Sequence, residues 1–320
     1  MVRQTSPSTG LSYLTNTSIQ GPVKKLYLLI HGWGCTSLDY LPLLHVLVPA
    51  NTDTQYIAVD LPGHGYSSPS LCPIPTVSGF AALLNRFCDE VCTAQKDPPH
   101  DQMATEDIAE KLSGTSSIPA SDKALPLTSD VEKVIVGHSM GCRIALEVFA
   151  QEPANISGIV LLDGSWYGPN VRLDRIANTN IDEERQVILK SLGNMFGPST
   201  PDQFKQQVAE HLQKIDLVYA NQLSSDYVAW EGQKMEDVLR MVPENIRNGG
   251  RITKVLIVQA TDGHGATRRR LKKGEENAWI RLVRESVGER CRVLIVEDSG
   301  HWPHADRVDE IVQAVKNFGV

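Results

Sequence analysis

The chain has 320 residues, of which 41% are hydrophobic and 22% are charged, a balance that is typical of a folded globular protein and excludes a largely disordered one. The formal net charge of −7 argues against a polyanionic partner, so we expect no nucleic-acid binding. No stretch approaches the roughly 18 apolar residues of a membrane helix, and the first residues lack the apolar core of a secretory signal, so we expect no membrane association and a cytoplasmic location.

Six short runs of Val, Ile and Leu, each bounded by turn residues, are typical of strands that are buried on both faces. Helical patterns separate these runs, which predicts an α/β fold with a mostly parallel central sheet flanked by helices. The runs are KLYLLI (25–30), TQYIAVD (54–60), VEKVIVG (131–137), ISGIVLLD (156–163), ITKVLIVQ (252–259) and CRVLIVED (291–298).

Two stretches interrupt this alternation. Residues 93–130 are rich in Pro, Ser, Thr and charged residues and poor in large apolar ones, which predicts a mobile surface insertion. Residues 168–250 contain amphipathic helical patterns and no strand-like run, which predicts a helical cap inserted between two strands of the core. The predicted core therefore comprises residues 1–167 and 251–320.

A serine stands between two glycines directly after the third run. Gly137-His138-Ser139-Met140-Gly141 fits G-x-S-x-G, the pattern of a nucleophile elbow between a strand and a helix. Such a sharp turn brings neighbouring chain so close that the positions two before and two after the serine must lack bulk. The Ser139 hydroxyl is then held at a helix N-terminus, where the Met140 N–H can stabilise an oxyanion. The pattern predicts a nucleophilic serine.

A serine hydroxyl of ordinary acidity needs a base before it can attack a carbonyl group. His301 follows the last strand-like run, within SGHWPH, and the helical pattern RVDEIVQAVKNF comes after it. Because the carboxyl ends of parallel strands meet at one edge of a sheet, we expect His301 to lie on the same edge as Ser139.

The chain resembles proteins of the α/β-hydrolase fold over most of its length. The motifs that carry the resemblance, in the expected order, are HGWG (31–34), DLPGHG (60–65), GHSMG (137–141) and GHWPH (300–304). The resemblance implies a Ser…Asp…His triad, and it implies that the backbone N–H of Trp33 joins that of Met140 in the oxyanion hole.

Two aspartates are candidates for the third triad member. Many members of the family carry the acid after the strand that precedes the histidine strand, where this chain has Asp262 one position early and Gly263 at the expected place. Other members place it directly after the strand that follows the elbow helix, and here that strand ends in Asp163. We predict Asp163 as the acid, with Asp262 as the alternative.

These residues predict a serine hydrolase that cleaves an ester, lactone or activated amide of a small aromatic or apolar molecule through an acyl-enzyme. The six cysteines are scattered without zinc-site spacing, and no dinucleotide fingerprint is present, so we expect reduced thiols, no metal and no cofactor. We expect a monomer or a homodimer. The candidate substrate-binding residues are His31, His138, Trp166, Tyr167, Tyr227, Trp230 and Trp302.

Two other functions remain open. Parts of the chain are similar to the cofactor-free dioxygenases that cleave 3-hydroxy-4-quinolones, enzymes that share the fold and place their acid where this chain has Asp163. Their PGW loop resembles HGW at 31–33, and Trp230 stands at a similar place, but the histidine that follows their loop tryptophan is replaced here, where Gly34 stands. The second alternative is a non-catalytic, ligand-binding member of the fold.

Overall fold

One eight-stranded sheet forms the centre of the molecule, with strand order β1-β2-β4-β3-β5-β6-β7-β8. The computed structural model describes residues 1–17, 22–48, 53–94, 131–168, 180–261, 271–272 and 274–318. The strands are β1 (Val2–Thr5), β2 (Ser12–Thr15), β3 (Lys25–Ile30), β4 (Thr54–Val59), β5 (Glu132–His138), β6 (Ile156–Leu162), β7 (Lys254–Ala260) and β8 (Cys291–Val296).

The predicted α/β class with a mostly parallel sheet is confirmed. Strands β3 to β8 pair in parallel, and the six apolar runs of the sequence correspond to them within two residues at each end. The sequence reading missed β1 and β2, which pair antiparallel with each other and extend the sheet beyond β4. Each has only four residues, and the sequence of β1, VRQT, carries no apolar run that could indicate a strand.

The helices cover both faces of the sheet. Their bounds are α1 (Leu41–Leu47), α2 (Val77–Ala94), α3 (Gly141–Gln151), α4 (Ile181–Leu192), α5 (Asp202–Lys214), α6 (Leu217–Glu244), α7 (Ala278–Val287), α8 (Pro303–Asp306) and α9 (Val308–Asn317). Within the described residues, no helix is both long and apolar enough to cross a bilayer.

Strand β3 shows why the apolar runs are continuous. Leu26, Leu28 and Ile30 pack in one apolar cluster with α2, α3 and α7, whereas Tyr27 and Leu29 pack in a second cluster with α1 and α9. Successive side chains of a strand point to opposite faces, so a strand buried on both faces needs an apolar residue at every position.

Helices α4, α5 and α6 lie between β6 and β7 in the chain, within the predicted cap 168–250. Helix α6 packs against α2, α3 and α7, and part of its apolar face belongs to the same cluster as the sheet. The cap boundaries stay a prediction. The predicted insertion 93–130 lies outside the described residues, except for its first two residues at the end of α2.

Candidate active site

Ser139 occupies a turn between β5 and α3 that only this pattern of glycines permits. Its φ is 53°, in the left-handed region that residues other than glycine rarely adopt. A Cβ on Gly137 would lie 2.3 Å from the Gly141 carbonyl oxygen, and a Cβ on Gly141 would lie 2.3 Å from the Ile30 carbonyl oxygen. Both contacts are with backbone, which cannot move aside. Ser139 is partly exposed.

The loop after β3 packs directly on this turn. A Cβ on Gly32 would lie 3.1 Å from the Ser139 Cβ, so the loop backbone passes next to the serine. The Trp33 indole N–H donates to the Ala220 carbonyl of α6 at 2.9 Å, which ties the loop to the helices between β6 and β7. Met140 follows Ser139 in the chain and is the last residue before α3.

His301 and Asp163 form a buried pair beside the serine turn. The His301 Nδ1–H donates to Asp163 Oδ2 at 2.6 Å, and Asp163 is almost fully buried. Asp163 directly follows β6 and has a φ of 45°. The residue before it, Leu162, accepts the Ser139 N–H at its carbonyl oxygen at 2.9 Å. The structure therefore joins Asp163 to His301, while Asp262 lies outside the described residues.

The second oxygen of Asp163 is held by the end of β7. Oδ1 accepts the Ala260 backbone N–H at 3.2 Å and a short hydrogen bond from Nε2 of Gln259. Sequence reasoning missed Gln259. The available signal was a polar residue directly after the apolar run VLIV (255–258).

The backbone of His301 is fixed at both its N–H and its carbonyl group. The N–H donates to the Met195 carbonyl at 2.7 Å, and the carbonyl accepts a hydrogen bond from Nε2 of His138 at 2.7 Å. The loop is also packed backbone to backbone, since a Cβ on Gly300 would lie 2.2 Å from the Gly197 nitrogen. Two parts of the molecule therefore position His301. One is segment 195–197, which follows α4, and the other is His138, the residue before Ser139.

Asp306, in α8, connects the His301 loop to the segment that follows α4. Its Oδ2 accepts the Gly300 N–H at 2.7 Å and the Ser299 hydroxyl at 3.2 Å, while its Oδ1 accepts the Thr200 hydroxyl at 2.5 Å. Burial raises the pKa of the Asp306 carboxyl, and these hydrogen bonds partly oppose the rise. Thr200 also accepts the Gly197 N–H at 2.9 Å. The segment and the loop thus share one hydrogen-bond network.

A buried ion pair connects the serine turn to α6. The Arg143 Nε donates to Glu231 Oε2 at 2.8 Å, and both side chains are almost completely buried. Arg143 also donates to the Ser139 carbonyl at 3.3 Å, and its guanidinium lies 5.4 Å and 5.1 Å from the ring centres of Tyr167 and Tyr227. Nothing in the sequence indicated this contact, because the two partners are 88 positions apart.

The aromatic residues that were predicted to bind substrate differ in accessibility. Trp166 and Tyr167 are partly exposed, whereas Tyr227 and Trp230 are buried. The Trp230 indole N–H donates to Glu147 Oε2 at 2.8 Å, between α6 and α3. Trp302 is buried and stacks on Phe196. Trp166 and Tyr167 are therefore the partly exposed members of this aromatic set.

Three histidines near the site are buried in positions that favour the neutral ring. His31 donates from Nδ1 to the Gly32 carbonyl at 2.8 Å and accepts the Leu61 N–H at Nε2 at 3.0 Å. Burial lowers the pKa of His31 to about 3, with the nearby His64 as a second cause. Burial also lowers the pKa of His304 to about 3 and lowers that of His64. Both nitrogens of His31 are thus already bound to backbone.

The described residues contain no group of three His, Cys, Asp or Glu side chains that could hold a metal ion. The chemistry available at the site is that of a serine hydroxyl, an imidazole–carboxylate pair and the backbone N–H groups of two loops.

Comparison with known proteins places the chain in a broad structural class. A family model described as "Alpha/beta hydrolase family" matches residues 27–314. A bacterial membrane phospholipase A is 20% identical, with a TM-score of 0.62 over 96% of this chain and 81% of that chain. Est816, an N-acyl homoserine lactone degrading enzyme, is 13% identical, with a TM-score of 0.63 over 99% and 100% of the two chains.

A third solved structure, an esterase from Exiguobacterium antarcticum, is 13% identical, with a TM-score of 0.58 over 97% of this chain and 96% of that chain. A search of curated proteins found no significant match. At these identities the structural likeness shows a shared fold, and the reaction has to be argued from the site.

Proposed function

The chain belongs to the alpha/beta hydrolase family, and from this premise we propose that it is a serine hydrolase that cleaves an ester, lactone or activated amide of a small molecule. In this proposal Ser139 is the nucleophile, His301 the general base and acid, and Asp163 the carboxylate that orients the imidazole. The backbone N–H groups of Trp33 and Met140 form the oxyanion hole.

The proposed reaction has two steps that use the same groups. The Ser139 Oγ attacks the substrate carbonyl carbon while its proton passes to Nε2 of His301, and the oxyanion is held by the two backbone N–H groups. The imidazolium then protonates the leaving alcohol or amine, whose bond to the carbonyl carbon breaks and leaves an acyl-enzyme. In the second step water replaces the serine by the same route, with His301 again as the base.

The observation that carries the proposal is the 2.6 Å hydrogen bond from His301 Nδ1 to Asp163 Oδ2, next to a serine held at positive φ. A donating Nδ1–H places the ring's lone pair on Nε2, which is the tautomer that general-base catalysis requires. A strained backbone at a partly exposed serine is typical of a functional turn.

The partly exposed aromatic residues favour a substrate with an apolar or aromatic portion. Trp33 and Trp166 are both partly exposed and pack against the main apolar cluster. Exposed flat aromatic surfaces favour apolar or aromatic ligand portions, because contact with them removes apolar area from water. We propose that these two side chains contact the substrate, together with Tyr167.

Turnover of a panel of aromatic and aliphatic esters, N-acyl lactones and activated amides tests the proposal. We expect hydrolysis of at least one class, and loss of that activity by at least about 10³-fold in Ser139→Ala, because the nucleophile is removed. Thermal stabilisation by a panel compound without any turnover would contradict hydrolysis and favour a ligand-binding protein.

One observation supports the dioxygenase alternative. The acid that pairs with His301 is Asp163, which stands at the strand end where, by the resemblance, the quinolone dioxygenases carry their acid. The same panel therefore includes hydroxyquinolones under oxygen, with oxygen uptake and carbon monoxide release as the readout. Gas release without ester or lactone turnover would replace the hydrolase proposal.

A further inference from the structure

The end of β7 contributes a buried amide to the proposed catalytic acid. Gln259 is 4% exposed and lies on β7, the strand adjacent to β6 in the sheet. The Asp163 N–H donates to the Val258 carbonyl at 2.7 Å, so the chain that leaves β6 runs alongside this end of β7. The carboxylate therefore faces the side chain of Gln259 and the backbone of Ala260.

The hydrogen bonds divide the two oxygens of the carboxylate between two tasks. Oδ2 accepts the His301 Nδ1–H at 2.6 Å. Oδ1 accepts two donors from β7, the Gln259 Nε2–H and the Ala260 N–H. An ionised carboxylate only accepts hydrogen bonds, so the amide must present its NH₂ group to it. Two donors on one oxygen stop rotation of the carboxyl group and keep the other oxygen on the imidazole.

A purely structural role for Gln259 does not fit its contacts. Within the described residues, its Oε1 is buried without a hydrogen-bond partner, although a buried amide oxygen normally has one. Burial of that oxygen is therefore unfavourable. The side chain offsets this cost through the hydrogen bond from its Nε2 to Asp163.

We propose that Gln259 is a positioning residue for the catalytic acid, which orients Asp163 so that its Oδ2 holds the His301 imidazole in the reactive tautomer. The inference rests on the proposed triad. In this arrangement the end of β6 supplies the acid, and the neighbouring strand β7 supplies the donors to its Oδ1.

Two substitutions test this role against a matched control. Gln259→Leu keeps the volume and removes the donor, whereas Gln55→Leu makes the same change at another buried glutamine of the sheet, on β4, whose Nε2 donates to Thr15 at 3.3 Å. We expect Gln259→Leu to lower kcat by about 10- to 100-fold with KM within about twofold, because a hydrogen bond to a charged group is lost. Gln55→Leu should change kcat by less than about twofold.

Gln259→Glu adds a readout that packing alone would not move. The introduced carboxyl can donate to Asp163 only while it is protonated, and it repels the aspartate once it ionises. We expect kcat to fall with rising pH through an ionisation that the wild type lacks. This variant has nearly the shape of the wild type, so it also serves if Gln259→Leu does not fold.

A proton NMR measurement separates this inference from the proposed function. The His301 Nδ1–H, in a short bond to a carboxylate, should give a low-field resonance that Gln259→Leu shifts or broadens and Gln55→Leu leaves in place. This readout does not depend on turnover, so it stands even if no ester, lactone or amide is cleaved. Unchanged kcat and an unchanged resonance in Gln259→Leu would overturn the role of Gln259, as would equal losses in the two leucine variants.

Discussion

The turn that carries Ser139 and the loop that carries His301 are positioned by different kinds of constraint. The serine turn is set mostly by its local sequence, a strand, a helix and two glycines whose positions leave no room for a side chain. The His301 loop is held by partners from other elements, among them Asp163, His138 and Met195. A motif of five residues can therefore encode the first, whereas the second needs the assembled fold.

The largest expected effect concerns the buried ion pair that connects the serine turn to α6. Arg143→Met leaves Glu231 as a buried carboxylate without its partner, so the free energy of unfolding should fall by about 3–5 kcal/mol. Denaturant unfolding measures the change. Arg240→Met breaks an exposed pair with Glu236 and should cost less than about 1 kcal/mol.

The double variant Arg143→Met/Glu231→Gln sharpens this prediction. Because it removes both buried charges, it should recover most of the lost stability. A loss below about 1 kcal/mol in Arg143→Met alone would show that the ion pair does not fix the turn to α6.

The local constraint on the serine turn predicts a similar loss from a single methyl group. In Gly141→Ala the new Cβ would lie 2.3 Å from the Ile30 carbonyl oxygen, so we expect at least about 3 kcal/mol of destabilisation and loss of activity. Thermal unfolding and turnover measure both. Gly193→Ala is the control, since its nearest atom would be 3.6 Å away, and it should unfold within about 0.5 kcal/mol of the wild type. Equal stability of the two variants would refute the steric argument.

Buried histidines near the His301 loop predict sensitivity to acid. His31 and His304 have a pKa of about 3 in the folded protein, against an ordinary value of 6.5, so the unfolded chain binds protons first as the pH falls. The free energy of unfolding should therefore decrease as the pH falls below 6.5, because the unfolded chain takes up protons that the buried rings do not. Above pH 6.5 these two rings should add no pH dependence.

His304→Phe isolates one share of this pH dependence. The phenyl ring can keep the stacking on Tyr40, whose ring centre is 4.9 Å from that of His304, but it binds no proton. We measure the free energy of unfolding at several pH values between 4 and 6.5. Its dependence on pH should correspond to the uptake of about one proton fewer on unfolding than in the wild type. An unchanged slope would mean that His304 takes up a proton in the folded state as readily as in the unfolded one.

The smallest expected effect concerns the network between segment 195–200 and the His301 loop. Thr200→Val removes the hydroxyl that donates to Asp306 and accepts the Gly197 N–H, which should cost about 1–2 kcal/mol of stability. If the network positions His301, kcat should fall more than KM rises. The exposed neighbouring Ser199, whose hydroxyl lies 3.5 Å from the Asp298 carbonyl, gives the control Ser199→Ala. A Thr200→Val enzyme with normal kcat would limit the network to a structural role.

The sequence predicted the parallel strands and the serine turn, because buried strands and a strand–turn–helix serine leave local patterns. Asp163 was predicted as the acid from the resemblance to the α/β-hydrolase fold. The sequence did not predict Gln259 or the Arg143–Glu231 pair. Their partners are distant in the chain, and an isolated glutamine or arginine in an apolar pattern has many possible explanations. The hairpin of β1 and β2 was missed for another reason. The short strand β2 gains stability from pairing with β4, and β1 from pairing with β2, rather than from an apolar repeat.

The rate of labelling by a serine-directed fluorophosphonate, measured against pH and followed by peptide mapping, tests the central claim most directly. We expect one label, on Ser139, with a rate that rises through a single imidazole ionisation and falls by about 10²- to 10⁴-fold in Asp163→Asn. A label on another residue, or an Asp163→Asn rate equal to that of the wild type, would contradict it.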